Sequence, residues 1–471
     1  MNVLFIMTDS LPPQLCSVWG GLPGSAPNID RLAGNGVVFE RAYCNCPLCA
    51  PARASLVTGR YVSQIGAFDN ASEFSSEWPT IGHAMQASGR EAVVIGKMHL
   101  VGHDQNHGFT RVASHADYTT GYNPHDYAIA YNWEDPPHPN PFGVDWMAPS
   151  YVKNEKWDHY PRHYDWDEEI HRAALSYLGE RGPQSDPFFC CVSYHAPHNP
   201  FWIPEPYKSM FRGADLPIPR IPAGIETVHG PMDEWLNTFH HLDGCRERLM
   251  EEDNLRWLYE TFYGMLADLD RKVGELLSVL SERGLAGNTA IVFAGDHGDM
   301  LGHRGMVQKR YLYEMSVRAP LIFSFPGRWA EGARISTPVS LVDVFPTFAE
   351  MVGAPVPDDL PGISLLPCME EAKEPPDRTI FCEYHGEGVH APCFMAVRGD
   401  HKYVYVHGFE ERLYDLSSDP DEFRNRLPGP AYSSVASDLR QQVPRQFDPD
   451  RIAQSALQSQ RNRRFVFGCV R

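Results

Sequence analysis

Met1-Asn2-Val3-Leu4-Phe5-Ile6-Met7-Thr8-Asp9 opens the chain. Residues 3–7 are apolar without a break, and polar residues bound them. A run this short reads as a strand buried on both faces. Asp9 stands just past its end. The phrase recurs down the chain. Residues 92–95 lead to Lys97 and His99, residues 188–193 to His195 and His198, and residues 290–294 to Asp296 and His297. Residues 321–325 form a fifth run, and a long helix is predicted over 255–282, with Gly284 as its C-terminal cap. Strands alternating with helices predict an α/β fold: a large, mostly parallel central sheet flanked by helices. Such sheets bind ligands beyond the carboxyl ends of their strands. A lone Asp there is more often a helix cap or turn residue. Four strand ends doing this together single out Asp9, Asp296 and His297 for a divalent cation, with Lys97, Lys309 and the histidines for an anion beside it.

After Pro367 the pattern changes. Residues 379–384, 393–397, 402–407 and 412–415 read as strands of a small antiparallel sheet. Residues 452–464 read as a helix with a basic finish, Arg461, Arg463 and Arg464. The predicted organisation is therefore a catalytic α/β domain over 1–367 and a C-terminal subdomain over 368–471. Two irregular stretches, about 104–165 and 200–250, are read either as active-site walls or as surface excursions.

Composition narrows the class. The chain has 471 residues, 43% hydrophobic and 21% charged, too apolar for a disordered tail. A net charge of -19 argues against nucleic-acid or anionic-membrane partners, which select basic patches. No run approaches the ~18 apolar residues of a membrane span. The N-terminal run lacks a basic flank and a cleavage site, so a cytoplasmic location is expected. The 11 cysteines, an odd number, argue against a disulfide framework. Cys44, Cys46 and Cys49 cluster, but no second cluster of zinc-finger spacing accompanies them.

Cys49-Ala50-Pro51-Ala52-Arg53-Ala54-Ser55-Leu56-Val57-Thr58-Gly59-Arg60 is the strongest local signal. A helix N-terminus stabilises negative charge, so a group at Cys49 faces developing anions, and Arg53 lies one turn on. A free thiol at a helix cap is an equal reading of composition alone. The segment resembles the sulfatase signature of the alkaline-phosphatase superfamily. Ala26 to Leu32, Gly96-Lys97-Met98-His99, Pro197-His198-Asn199-Pro200, Gly295-Asp296-His297-Gly298, Lys309 and Arg318 to Ile322 follow in the order of that family. Choline sulfatases resemble it most, through Asp104 to Phe109, Glu383 to Gly388 and Ser459 to Arg464.

The resemblance implies hydrolysis of a small organic sulfate monoester, such as a choline-sulfate-like compound. Cys49 would be converted to formylglycine by a maturation enzyme, and its hydrate would attack sulfur. Asp9, Cys49, Asp296 and His297 would form the metal site, with Ca²⁺ expected and Mn²⁺ admitted by the imidazole. Arg53 would orient the nucleophile. Lys97, His198 and Lys309 would bind sulfate oxygens or protonate the leaving oxygen, and His99 would help expel sulfate. Glu387 and His103 are the substrate-binding candidates, Glu387 as the partner of a cationic leaving group. A homo-oligomer is expected, the terminal helix serving a subunit contact or lying on its own chain.

Departures from the pattern are Ser10, where many sulfatases have a second Asp, and the lack of a clear Trp-containing ammonium pocket near 117–135. The alternatives are a phosphonate monoester or phosphodiester hydrolase on the same scaffold, and a non-catalytic binder of sulfated ligands.

Overall fold

A computed structural model describes residues 1–113, 133–137, 147–153 and 162–469. Most of 104–165, including most of 117–135, lies outside the described residues. The strands are β1 (Asn2–Thr8), β2 (Val37–Phe39), β3 (Ala42–Tyr43), β4 (Glu91–Gly96), β5 (Thr110–Val112), β6 (Phe188–Ser193) and β7 (Thr289–Gly295). They continue as β8 (Leu321–Ser324), β9 (Ala333–Ile335), β10 (Val339–Ser340), β11 (Ile380–Tyr384), β12 (Cys393–Arg398), β13 (His401–Val406) and β14 (Glu410–Asp415).

Eight strands make the main sheet, in the order β5-β4-β6-β1-β7-β8-β2-β9. Its centre, β4, β6, β1 and β7, is parallel. Residues 3–7 are wholly buried, as their unbroken apolar run requires. The register sets the site. Thr8 pairs with Gly295, Met7 with Ser193, and Gly96 also with Ser193. The four central strands thus end at one level, and Asp9, Asp296 and Lys97 emerge side by side.

One strand corrects the sequence reading. β8, grouped there with the buried parallel strands, is antiparallel to both β7 and β2. An apolar run buried on both faces encodes no direction. The segment from β7 to β8 carries a 3-10 turn, His303–Gly305, and the four-residue helix Glu314–Val317, not a crossover helix, so the chain turns back beside its neighbour. The stretch 200–250 also differs: it holds the short helices Glu205–Ser209, Pro231–Phe239 and Arg246–Leu249. The long helix spans Glu252–Glu282, and Gly284 follows it at φ +68.

β11 to β14 form the antiparallel sheet. Alternation divides its faces. Cys382, Tyr384, Cys393, Met395 and Val397 join the main core, while Phe381, Phe394, Tyr403 and Leu413 pack against Leu439 and Val443 of the helix Ser433–Gln446. The terminal helix, Pro449–Cys469, lies on its own chain. Arg461 pairs with Glu134 at 2.5 Å, Arg463 with Asp69 at 2.5 Å and Arg464 with Asp135 at 3.1 Å. No helix among the described residues is long and apolar enough to cross a membrane.

Candidate active site

Cys49 is the first residue of the helix Cys49–Thr58, every residue of which is buried. The helix stops at Gly59, where φ is +64 and an added Cβ would meet Phe345 at 3.1 Å. Arg53 projects one turn in and is fully buried. Its Nε donates to Asp296 Oδ2 at 2.8 Å and its Nη2 to Asp9 Oδ2 at 3.0 Å. Its Nη1 donates to the Lys97 carbonyl and to Ser193 Oγ, both at 2.9 Å. One guanidinium therefore touches the ends of all four central strands.

Around it the charges alternate. Lys97 Nζ donates to Asp9 Oδ2 at 2.6 Å. Ser10 donates its Oγ to Asp9 Oδ1 at 2.9 Å and its N–H to Asp296 Oδ1 at 3.1 Å. His297 places Nε2 at 3.3 Å from Cys49 Sγ, and its Nδ1 faces the Gly298 carbonyl at 2.8 Å. Lys309 Nζ reaches His198 Nε2 at 2.5 Å and Ser10 Oγ at 3.4 Å. His198 Nε2 is 3.9 Å from Asp9 Oδ1. Ser10, His99, Gln308 and Arg310 all have positive φ, between 55 and 87°. Non-glycine residues rarely adopt this conformation, and they concentrate where packing over-determines the backbone.

The electrostatics follow. Burial and Asp9 push the Cys49 thiol up, but Lys309, Lys97 and His297 outweigh them and hold it well below its ordinary value. Burial opposes ionisation of Asp9, yet Lys97, His198, Arg53 and Lys309 keep its carboxyl well below the usual range. Asp296 is pushed up to about 6 by burial and by Asp9. Burial and Lys309 push His198 down to about 4.

Asp9, Cys49, Asp296 and His297 bring one donor atom each within 4.8 Å of one another. Two buried carboxylates that repel, with an imidazole beside them, fit a divalent cation. Among the described residues, Cys44 and Cys46 join no such group, and both thiols are free.

The family model described as Sulfatase matches residues 1–354. The chain belongs to the sulfatase family. A second model, N-sulphoglucosamine sulphohydrolase, C-terminal, matches residues 302–448. The choline-sulfatase of Rhizobium meliloti (strain 1021) is 30% identical, covering 100% of this chain and 91% of the relative. A multifunctional alkaline phosphatase superfamily protein of Trinickia caryophylli is 28% identical, covering 94% of each. Among solved structures, a phosphonate monoester hydrolase from Silicibacter pomeroyi superposes with TM-score 0.74 at 25% identity, covering 94% of each chain. A 2-O GAG sulfatase gives 0.73 at 25% identity, covering 96% of this chain and 92% of the other. The protein is thus a sulfuric ester hydrolase of the alkaline-phosphatase fold.

In this sulfatase Cys49, Arg53, Lys97, His198, Lys309, Asp9, Asp296 and His297 converge. His99 is buried on the same strand-end loop as Lys97. His195 turns elsewhere: its Nδ1 is 3.1 Å from Asp167 and its ring stacks on His163. Two substrate-binding expectations change. His103 is exposed rather than buried with the cluster. Glu387 is buried and is not an open seat for a cation, because Arg310 Nη2 already donates to its Oε2 at 2.6 Å.

Sequence reasoning missed Arg310, Asn70, Ser193 and Asp167. Asn70 accepts from the Ala50 N–H at 3.1 Å and donates its own N–H to Glu387 at 3.2 Å. Asp167 accepts from the N–H groups of His195 and Ala196 at 2.7 and 2.9 Å, which fixes the turn before His198. Only Arg310, beside Lys309, left a signal in the sequence.

Proposed function

We propose that this sulfatase hydrolyses a small organic sulfate monoester through a formylglycine made from Cys49 and one divalent metal. The observation that supports it is the convergence of Asp9, Cys49, Asp296 and His297 beside Lys97 and Lys309. A divalent cation held by Asp9, Asp296, His297 and residue 49 supplies Lewis-acid stabilisation of charge on the sulfate oxygens; Ca²⁺ is the expected ion and His297 also suits Mn²⁺. Formylglycine at position 49 supplies a hydrated aldehyde as the nucleophile.

The chain's own residues do the rest. Arg53 neutralises Asp9 and Asp296 and fixes the direction of residue 49, which lies one turn away on the same helix. Lys97 and Lys309 bind sulfate oxygens, whose charge they stabilise in a water-poor setting. Burial and Lys309 favour the neutral imidazole of His198, whose Nε2 lies 2.5 Å from Lys309 Nζ. That pair delivers one proton to the leaving oxygen. His99 assists expulsion of sulfate. The catalytic part is residues 1–367, with 368–471 packed on it as a subdomain. A formylglycine-generating enzyme is the required partner, and a cytoplasmic homo-oligomer is the expected form.

Mass spectrometry of the tryptic peptide 42–53, from protein made beside a maturation enzyme, tests the nucleophile. A mass lower by the thiol-to-aldehyde change is expected, and unmodified Cys49 overturns the mechanism. The likeness to a phosphonate monoester hydrolase favours one second reading. Turnover of phenylphosphonate esters above that of aryl and choline sulfates would select it.

A further inference from the structure

A cationic leaving group needs an anion and an aromatic face to hold it. The structure provides both beside the reacting centre, and both are already taken. Arg310 follows Lys309, and its N–H donates to the Pro47 carbonyl at 3.0 Å, two residues before Cys49. Its guanidinium donates to Glu387 Oε2 at 2.6 Å and lies over the Phe239 ring at 5.4 Å. The other Glu387 oxygen accepts from the Asn70 N–H at 3.2 Å, and Asn70 reaches Ala50. Arg310 and Glu387 are both buried, so the pair is neutral as a unit and screened little by solvent. Phe239 in turn packs with Met147 and Trp133.

We propose that Arg310 occupies the seat a cationic leaving group would take, so that the leaving-group side of the site is charge-paired and selects sulfate esters of uncharged alcohols. This rests on the sulfatase reading above. An alcohol departing from beside Lys309 and His198 meets the Arg310–Glu387 pair next. An uncharged alcohol needs no counter-charge and leaves that pair undisturbed. Among the described residues, a quaternary ammonium meets a fixed guanidinium and, in Glu387, a carboxylate that is already paired. Arg310 and Glu387 are specificity residues here, not catalytic ones.

The test compares kcat/KM of the full-length, converted enzyme for choline sulfate and for neohexyl sulfate, the isostere with carbon in place of nitrogen. The wild type is expected to hydrolyse the uncharged ester at least as well. Choline sulfate as the better substrate overturns the inference. Arg310→Met frees Glu387 and should shift the ratio toward choline sulfate by about tenfold. An unshifted ratio in a folded variant also overturns it. If Arg310→Met does not fold, the wild-type ratio decides alone. Release of sulfate from no ester, aryl sulfates included, defeats the sulfatase reading and this inference with it; a preference for choline sulfate defeats this inference only.

Discussion

Arg53 carries more of the site than any other side chain, because a planar fork can bridge two carboxylates and still reach two oxygens behind them. Arg53→Lys keeps one charge and loses the bridge. Leaving Asp9 and Asp296 incompletely paired in the interior should cost about 3–5 kcal/mol in urea denaturation, and kcat/KM should fall about 100-fold or more. Stability within 1 kcal/mol of wild type (about the effect of an exposed pair) would contradict this role. Ser10 invites the opposite experiment. It hydrogen-bonds both carboxylates from a left-handed backbone position that Asp also tolerates. Ser10→Asp adds a third carboxylate, so inactivation by a chelator should need more chelator or more time. Faster loss of activity than in the wild type would count against Asp9 and Asp296 as metal ligands.

The terminal helix separates two kinds of ion pair on one element. Arg463 reaches buried Asp69, next to Asn70, and also donates to Ser72 at 2.6 Å. Arg461 meets Glu134 in solvent, each about half exposed. Arg463→Ala should therefore cost about 2–3 kcal/mol, and Arg461→Ala clearly less, because its pair is screened by solvent; paired denaturation curves measure both, and equal losses would refute the distinction. Elements of this kind were unevenly legible in the sequence. Strands buried on both faces announce themselves, so β1, β4, β6 and β7 were readable to within a residue or two. The direction of β8 was not, because it depends on what the preceding loop lacks. The helix Pro231–Phe239 was hidden among prolines and aromatic residues. In the site, Asp9, Lys97, Asp296 and His297 follow their strands directly and were visible. Asn70 and Glu387 belong to it through a contact 317 residues apart, which only the folded chain brings together.

At the scale of the whole molecule, buried histidines tie stability to pH. Burial pushes both His107 and His303 down to about 4. Unfolded, each binds a proton near pH 6.5; folded, neither does until about pH 4. Between these values the unfolded chain holds more protons, so stability is fully present above pH 6.5 and is lost as pH falls toward 4. Glu422, raised to about 6 by burial, acts in the opposite sense over part of that window. These three groups together predict a loss on the order of 3 kcal/mol between pH 7 and pH 4.5, read from urea midpoints. A flat profile would show that the histidines titrate normally in the fold. The contacts of Arg53 reach further still. Its partners lie at the ends of four strands that are adjacent in the sheet but distant in the chain. A sheet with one strand slipped by a residue would bury that guanidinium against the wrong neighbours, with its charge unmet. The group that organises the chemistry also proofreads the register, so a misassembled chain is penalised at the place where it would have been inactive.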